Sequence, residues 1–454
     1  MEGVRSIFLV CIAALMINNV FAARYVTHEA IPTQDNDFLS FSTLSHAPLT
    51  NALSLGGYQA EAGTPLFFMS SWTAENGLGP LDTFKVVPTG FDYCSSAQTG
   101  YMTNPSYLDY TYVGFGCLNK SEQLESHFIL QVSKEGRVIN SKVFTQPTKL
   151  IGENEVEINF AFLSTSIVIG FNSAQDSKIV KLYADLSFLA QHNFADFSIT
   201  SIAGYYNTDD VVLAGISEKK PTLVLIFDGA VTHQVTLAES GYVDNVSVGL
   251  NNIFVALGGA PSAEVIMLTR FTFKVVSVNS VSLSTASFPA CLAGQDTYAF
   301  TQNDSKDPKF GAWLFNGNGE QYDSFEGRGE YESFTFQSAS TILTADGKYM
   351  LSVGSASPGY GNAFVAVDLS TRSEAFEFIP DHFQKVSADQ IVESNVQWAL
   401  RESLEGLKVS VAPEGTLVHL TGVAPVIKNS HKDGQGNQGE EELVVNFLGE
   451  FQNQ

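Results

Sequence analysis

The chain has 454 residues, with 48 Asp and Glu against 24 Lys and Arg, and a net charge of −24. A negative field of this strength repels phosphate groups, so nucleic acid and acidic membrane surfaces are excluded as expected partners. Since 44% of the residues are hydrophobic, the chain can bury a large core, and its acidity is not a sign of disorder.

The first 22 residues have the layout of a secretory signal peptide. Arg5 precedes the apolar run 7–17, and Val20 and Ala22 stand at the minus-three and minus-one positions of a cleavage site. The apolar run is shorter than the roughly 20 residues that cross a bilayer. We therefore predict a signal peptide over 1–22, no membrane span elsewhere, and a secreted, extracellular protein.

The cysteines and the glycosylation motifs fit an oxidising compartment. Cys94 and Cys117 are close enough in sequence to predict a disulfide. Cys291 is then odd, and the alternatives are a buried free thiol, which we favour, and an intermolecular bridge. Motifs for N-linked glycans occur at Asn119, Asn245 and Asn303.

One pattern recurs along the chain, and 167–183 shows it clearly: an apolar strand, a glycine, a short polar loop and a second strand. The glycines that mark the pattern are Gly56, Gly116, Gly170, Gly215, Gly258, Gly354 and Gly422, and one further unit has Gln302 instead. A period in the forties is the length of one four-stranded propeller blade. We expect the strand that ends at each glycine to be the innermost strand of its blade.

The repeats favour an all-β chain that forms a single β-propeller of seven or eight four-stranded blades, rather than a sandwich, jelly roll or β-helix. The propeller is predicted over 51–454, after an N-terminal segment over 23–50 that could supply a closing strand. A helical insertion near 388–406 and a mobile loop near 428–442 are predicted within it. The chain resembles secreted β-propellers in general over 50–454, without the signatures of WD40 repeats.

Several polar residues come just before the strands expected to be innermost, on the face where propellers usually bind ligands. They are Asp209, Asp210, Asn252, Asp296, Asp346 and Glu414. Tight turns add Glu135, Asp228, Asn316, Asn318 and Asp368 on the same side. Converging carboxylates would suit calcium, with Asp210, Asp296 and Asp346 as its ligands, although Asp and Asn are also the usual residues of turns that bind nothing. We expect no other cofactor, because the histidines lack zinc-site spacing.

Two functions remain open. The sequence favours a non-enzymatic extracellular module that binds a protein, a glycan or its own copies. The alternative is a secreted hydrolase or lactonase-like enzyme with a calcium-type cation in the acidic central channel. The oligomeric state is not indicated by the sequence.

Overall fold

The protein was analysed as a computed structural model, which describes the strands, one short 3-10 helix and many of the connections between them. The described residues are 22–31, 38–46, 51–59, 65–73, 77–78, 82–84, 91, 93–94, 98–102, 104–107, 109–119, 121–133, 137–147, 159–172, 176–205, 208–258, 263–281, 286–294, 297–304, 310–326, 335–343, 349–357, 361–369, 373–378, 405–411, 417–427 and 440–450. Side chains are described for many of these residues between Phe91 and Leu369.

The strands form eight antiparallel sheets, which we call blades 1 to 8 in chain order. Blade 1 contains β2 (Phe38–His46), β3 (Asn51–Gln59), β4 (Pro65–Thr73), β5 (Gly77–Leu78) and β6 (Asp82–Phe84). Blade 2 contains β7 (Tyr93–Cys94), β8 (Gln98–Gly100), the 3-10 helix Pro105–Tyr107, β9 (Tyr110–Asn119), β10 (Leu124–Ser133) and β11 (Val138–Pro147). Blade 3 contains β12 (Asn159–Phe162), β13 (Ser166–Asn172), β14 (Asp176–Tyr183) and β15 (Phe188–Ala195).

Blades 4 to 8 complete the series. Blade 4 contains β16 (Phe197–Gly204), β17 (Val211–Ser217), β18 (Lys220–Phe227) and β19 (Ala230–Thr236). Blade 5 contains β20 (Tyr242–Val248), β21 (Asn252–Gly258), β22 (Ala263–Thr269) and β23 (Val275–Val281). Blade 6 contains β24 (Ala286–Ala293), β25 (Thr297–Asp304), β26 (Phe310–Asn316) and β27 (Gln321–Glu326). Blade 7 contains β28 (Thr335–Leu343), β29 (Tyr349–Ser357), β30 (Gly361–Asp368) and β31 (Ser373–Phe378), and blade 8 contains β32 (Glu405–Val411), β33 (Leu417–Ile427), β34 (Glu440–Glu450) and β1 (Ala22–Ile31).

The first strands of the blades contact one another in a closed ring. The contacts run from β2 through β8, β12, β16, β20, β24, β28 and β32, and β32 returns to β2. Within each of blades 3 to 7 the four strands follow in chain order from this ring outward. This radial arrangement is a β-propeller, so the predicted all-β propeller is confirmed. Six of the eight described sheets have four strands, and the sheets of blades 1 and 2 have five.

Burial explains which strands carry the apolar sequence. In blade 4 the second and third strands, β17 and β18, are mostly buried, whereas the fourth, β19, is mostly exposed. The first strand, β16, is mixed because it lines the central axis. The core lies between neighbouring blades: Val212 and Leu225 of blade 4, for example, belong to one apolar cluster with Ile253 of blade 5.

The strand that carries each marker glycine is the second strand of its blade, so the prediction that it is the innermost is wrong. In blade 3, Ile167 to Ile169 belong to β13, and β12 lies inside them with Phe160 paired to Ile169. The sequence signal was strongest in the second and third strands because both of their faces are buried. The short, partly polar first strand gave a much weaker signal.

Gly215 shows why a marker glycine is needed where the first strand bulges. In β16 the register shifts between Ile199 and Ser201, and Gly215 of β17 pairs with Ile199 beside this bulge. A Cβ atom at Gly215 would lie 2.1 Å from the carbonyl oxygen of Ser198. Only glycine lets the second strand approach the bulged strand so closely.

The first two strands lie almost entirely within the segment 23–50, which was expected to supply a closing strand. β1 and β2 both precede residue 51, and β1 pairs antiparallel with β34, so the N-terminal strand closes the last blade. Strands also begin at Glu405 and Glu440, where the helical insertion and the mobile loop were predicted to end. The remaining parts of those two segments, and residues 1–21, lie outside the described residues.

Candidate functional site

One face of the propeller collects the predicted binding residues. It is formed by the connections between first and second strands and by the turns between third and fourth strands, and we call it the turn face. In blades 3 to 6 it includes 163–165, 184–187, 208–210, 228–229, 249–251, 270–274 and 317–320. Asp209 and Asp210 lie there, and Asn252 is the first residue of β21, next to it. Asp296, Asp346 and Glu414 lie outside the described residues.

Asp209 joins blade 4 to blade 3. Its carboxylate accepts hydrogen bonds from the backbone N–H of Thr165 at 3.0 Å, from the Thr165 hydroxyl, and from the Ser166 hydroxyl at 2.8 Å. Burial alone would raise the pKa of the Asp209 carboxyl, but these hydrogen bonds together outweigh it and hold the pKa below its ordinary value. The oxygens of Asp209 are therefore engaged in holding two blades together.

A buried lysine completes this junction. Lys181 of blade 3 donates from Nζ to the backbone oxygen of Asp209 at 2.7 Å, and only 8% of the residue is exposed. Burial lowers the pKa of Lys181, and the charge of Asp209 opposes the shift. The ammonium group sits beside a carboxylate whose charge offsets its own, so this junction is a satisfied polar contact rather than an open site.

Asp210 and Asn252 also have structural partners. The Oδ1 atom of Asp210 accepts from the backbone N–H of Asp228 at 3.1 Å and holds the turn between β18 and β19. Asn252 is buried, and its Nδ2 atom donates to the Gly317 oxygen of blade 6 at 2.7 Å. Within the described residues, no three acidic, histidine or cysteine side chains come together as a metal site.

The predicted tight turn after β18 has the expected backbone. Asp228 and Gly229 have φ values of 48° and 73°, in the region that hairpin turns require. The connections after β14 and β26 are longer, at 184–187 and 317–320. Asp368 ends β30, and Glu135 lies outside the described residues.

The turn face also carries an aromatic patch that sequence reasoning missed. Phe227 of blade 4 and Leu250 and Phe271 of blade 5 are 42%, 51% and 52% exposed. The ring of Phe271 stacks on buried Tyr205 with centroids 6.4 Å apart and planes at 5°, and Phe227 meets Phe271 edge to face at 6.1 Å. We use the name aromatic patch for Phe227, Leu250 and Phe271.

Arg270 holds the aromatic patch in place from below. Its Cζ atom lies 4.2 Å from the Tyr205 ring centre and 4.9 Å from that of Phe271, and its Nη1 donates to the Leu250 oxygen at 3.2 Å. The Tyr205 hydroxyl donates to the Arg270 oxygen at 2.8 Å. In the described part of the chain no carboxylate pairs with Arg270, so the two rings provide its electrostatic support. Both blades therefore contribute to one fixed surface.

The first strand of blade 5 carries another partly buried acid, Asp244, whose surroundings differ from those of Asp209. Asp244 sits at the bulge of β20 between Val243 and Asn245, and no hydrogen-bond partner is described for its carboxylate. Burial raises its pKa to about 6. Burial also raises the pKa of the neighbouring Cys291 thiol, and the charge of Asp244 adds to that shift. Cys291 is a buried free thiol, as we favoured.

The other cysteines and the sequons have distinct settings. Cys94 of β7 and Cys117 of β9 are direct cross-strand partners, a spacing that a disulfide can bridge, and the disulfide stays a prediction. The Asn245 carboxamide oxygen accepts from the backbone N–H of Cys291 at 3.3 Å, so this sequon is engaged between blades and is a poor glycan acceptor. Asn119 caps a surface turn by accepting from Ser121, and the side chain of Asn303 lies outside the described residues.

Comparison with known proteins gives no family assignment and several similar solved structures. No protein-family model and no curated protein matches the sequence. Among solved structures, the Cps50 (Swd1) β-propeller domain of Myceliophteria thermophila matches 79% of this chain and 99% of that chain at 9% identity and a TM-score of 0.40. The Dos1 propeller matches 91% of this chain and 95% of that chain at 8% identity and a TM-score of 0.48.

A third similar structure is an enzyme. It comes from a structural and mechanistic analysis of two prolyl endopeptidases. The match covers 87% of this chain and 55% of that chain, with 9% identity and a TM-score of 0.46. In the portion of the chain that is described, no helix has the length and hydropathy needed to cross a membrane.

Proposed function

We propose that the protein is a secreted, extracellular interaction module that binds another protein through the aromatic patch on its turn face. The observation that carries the proposal is the exposure of Phe227 and Phe271 in edge-to-face contact, with exposed Leu250 tied to the same support through Arg270. Exposed aromatic side chains fixed in one conformation are the usual anchors of protein interfaces. Propeller structures similar to this chain include enzymes, but the described acids of the turn face serve the blades themselves.

The charge around the patch indicates the partner. Asp228 follows Phe227 in the chain and is exposed, and Asp210 lies next to it. With the net charge of −24, this setting favours a protein surface that offers a Lys or Arg beside an apolar side chain. The basic group would lie over an exposed ring and near Asp228, and the apolar group would cover Leu250.

Secretion is supported by the position of the first strand. The predicted cleavage after Ala22 would remove a single residue of β1, which spans Ala22–Ile31. The closing strand of blade 8 would therefore survive the processing almost intact. Protein recovered from the medium of expressing cells is expected to begin at Ala23.

Binding can be tested with that secreted protein and a displayed library of random peptides. We expect selected peptides to combine a basic residue with an aromatic or large aliphatic one, and their binding to weaken as salt is added. Phe271→Ser should weaken binding about ten-fold or more, because it removes an exposed anchor. The matched control is Phe188→Ser, which removes an equally exposed phenylalanine from the outermost strand of blade 3.

Two outcomes would contradict this function. One is a set of peptides that bind the wild type and Phe271→Ser equally well. The other is hydrolytic turnover by the purified monomer, which would restore the enzyme alternative. Selection of glycans but not peptides on a carbohydrate array would keep the module and reject the protein partner.

A further inference from the structure

The outer edges of the blades differ around the ring in their content of acidic residues. The outermost strands of blades 2 to 5, β11, β15, β19 and β23, contain no Asp or Glu. Those of blades 6, 7, 8 and 1, namely β27, β31, β1 and β6, each contain at least one. The acids are Asp323, Glu326, Glu374, Glu377, Glu29 and Asp82. We call the first group the acid-free arc.

The strand β23 is an uncharged edge of the acid-free arc and carries three exposed valines. Its sequence VVSVNSV has no charged residue, and β22 is its partner strand in the described sheet. Val275, Val276 and Val278 are 49%, 37% and 55% exposed. Edge strands in soluble proteins usually carry charges, prolines or bulges, because their free backbone groups otherwise pair with another strand. β23 has one bulge, at Val276 near its start, and the stretch from Ser277 to Val281 has none of these features.

The two faces of β23 have different surroundings. The Asn279 amide donates to the Gly319 oxygen of blade 6 at 3.1 Å, so this side chain is directed at the next blade. Val276, Val278 and Ser280 lie on the other side and are exposed. An added strand would therefore meet free backbone groups along its edge and a row of small, uncharged side chains on one face.

We propose that β23 pairs antiparallel with β23 of a second copy of this chain, which joins two propellers into a twofold dimer. Two chains of charge −24 repel each other, so a contact between copies is favourable where both surfaces lack carboxylates. In an antiparallel pair centred on Val278, Val278 faces its own counterpart and Val275 faces Val281. The other pairs are Val276 with Ser280 and Ser277 with Asn279, so no pair contains a charge. A symmetric contact of this kind closes on itself and leaves no free β23 edge.

This interface is independent of the aromatic patch, and salt separates the two. Added salt screens the repulsion between the acidic copies and should strengthen the dimer, whereas it should weaken the binding of a basic partner. Sedimentation equilibrium of the mature protein from about 0.05 M to about 0.5 M NaCl is expected to show a reversible dimer whose dissociation constant falls as salt rises.

Variants locate the interface. Val278→Lys should raise the dimer dissociation constant about ten-fold or more, because two added charges face each other across the twofold axis. Val278→Thr keeps a β-branched side chain and should give a smaller rise. Ser324→Lys is the control, since Ser324 is exposed on the outermost strand of blade 6, and should leave dissociation unchanged.

The proposal is overturned by a protein that stays monomeric across this salt range, or by a dimer that Val278→Lys and Val278→Thr both leave intact. Thermal unfolding of each variant checks that the chain has folded. A monomer that still binds peptides through Phe271 would reject the dimer and leave the interaction module standing.

Discussion

Asp209 and Asp244 are half-buried acids at two blade junctions, and their pKa values shift in opposite directions. At the junction of blades 3 and 4, Thr165 and Ser166 donate to Asp209 and hold the pKa of its carboxyl below the ordinary value. At the junction of blades 5 and 6, Asp244 has no described donor, and burial raises its pKa to about 6. The difference shows that hydrogen-bond donors, rather than the degree of burial, decide whether an acid strengthens a junction.

The neighbouring repeat shows what Asp244 lacks. Thr200 sits at the same kind of bulge in β16, and its hydroxyl donates to the Val243 oxygen of blade 5 at 2.9 Å. A hydroxyl can donate at any pH, whereas a carboxyl can donate only when it is protonated. The repeats thus share a backbone, while the side chain at the bulge sets how each junction responds to pH.

The largest loss of stability is expected from adding a side chain at Gly215 or Gly258, the glycines that lie beside the bulges of β16 and β20. In Gly215→Ala the new methyl group meets the backbone oxygen of Ser198, which cannot move freely. The free energy of unfolding should therefore fall by about 3 kcal/mol. In Gly258→Ala the methyl group meets the side chains of Asp244 and Tyr242, which can rotate, so the loss should be smaller. Denaturant unfolding measures both, and equal losses would contradict this difference between the junctions.

The next effect comes from removing the satisfied acid. Asp209→Ala leaves the Thr165 N–H and the Ser166 hydroxyl without their acceptor, and the free energy of unfolding at pH 7 should fall by roughly 2 kcal/mol. Because the folded pKa of Asp209 is lowered, its stabilisation is present above the unfolded pKa and is lost as pH falls through the folded value. The difference in free energy of unfolding between the wild type and Asp209→Ala should therefore become smaller at acidic pH.

A control and a contrary result accompany this prediction. Asp228→Asn changes an exposed acid on the same face and keeps a residue type that tolerates positive φ, so stability should hardly change. A gap between wild type and Asp209→Ala that stays constant from neutral to acidic pH would show that the carboxylate charge is not involved.

The smallest expected effect is a gain in stability, produced by replacing Asp244. Asp244 has a folded pKa raised from 3.8 to about 6, so its contribution to stability is full below the unfolded pKa and is lost as pH rises through about 6. Asp244→Asn removes the charge, and it should stabilise the protein by about 1 kcal/mol at alkaline pH, after allowance for solvent screening of a half-buried group. The gain should vanish at the pH where wild-type Asp244 is protonated in both states.

The matched control is Glu264→Gln, an exposed acid in the same blade, for which no gain is expected at any pH. Unfolding curves of both variants at several pH values make the comparison. A loss of stability in Asp244→Asn at alkaline pH would mean that the carboxylate has a partner that stabilises its charged form.

The second and third strands could be predicted from the sequence because they are buried on both faces and read as continuous apolar runs, as in β17 and β18. The first strands could not, since β12 and β16 mix buried and partly exposed residues and have no comparable period. The marker glycines were found correctly, but their cause was not, because the bulge behind Gly215 belongs to another strand.

The candidate site shows the same limit. Asp209 and Asp210 lie together in the connection between β16 and β17, and turn residues of this kind are visible in a sequence. The partners of Asp209 come from a different blade, 44 residues away in the chain, and no local pattern announces them. The aromatic patch had one local signal, an arginine between Thr269 and Phe271 in a turn, but its contact with Tyr205 depends on the packing of two blades.

Because β1 pairs with β34, the ring can close only after both ends of the propeller have been synthesised. β1 begins at Ala22 and its partner β34 ends at Glu450, so β1 cannot complete this pairing until synthesis has passed Glu450. At typical synthesis rates this wait is on the order of half a minute. Until then blade 8 is incomplete and an unpaired strand is exposed, so chaperones that hold extended segments are expected to act on the N-terminal end of the growing chain.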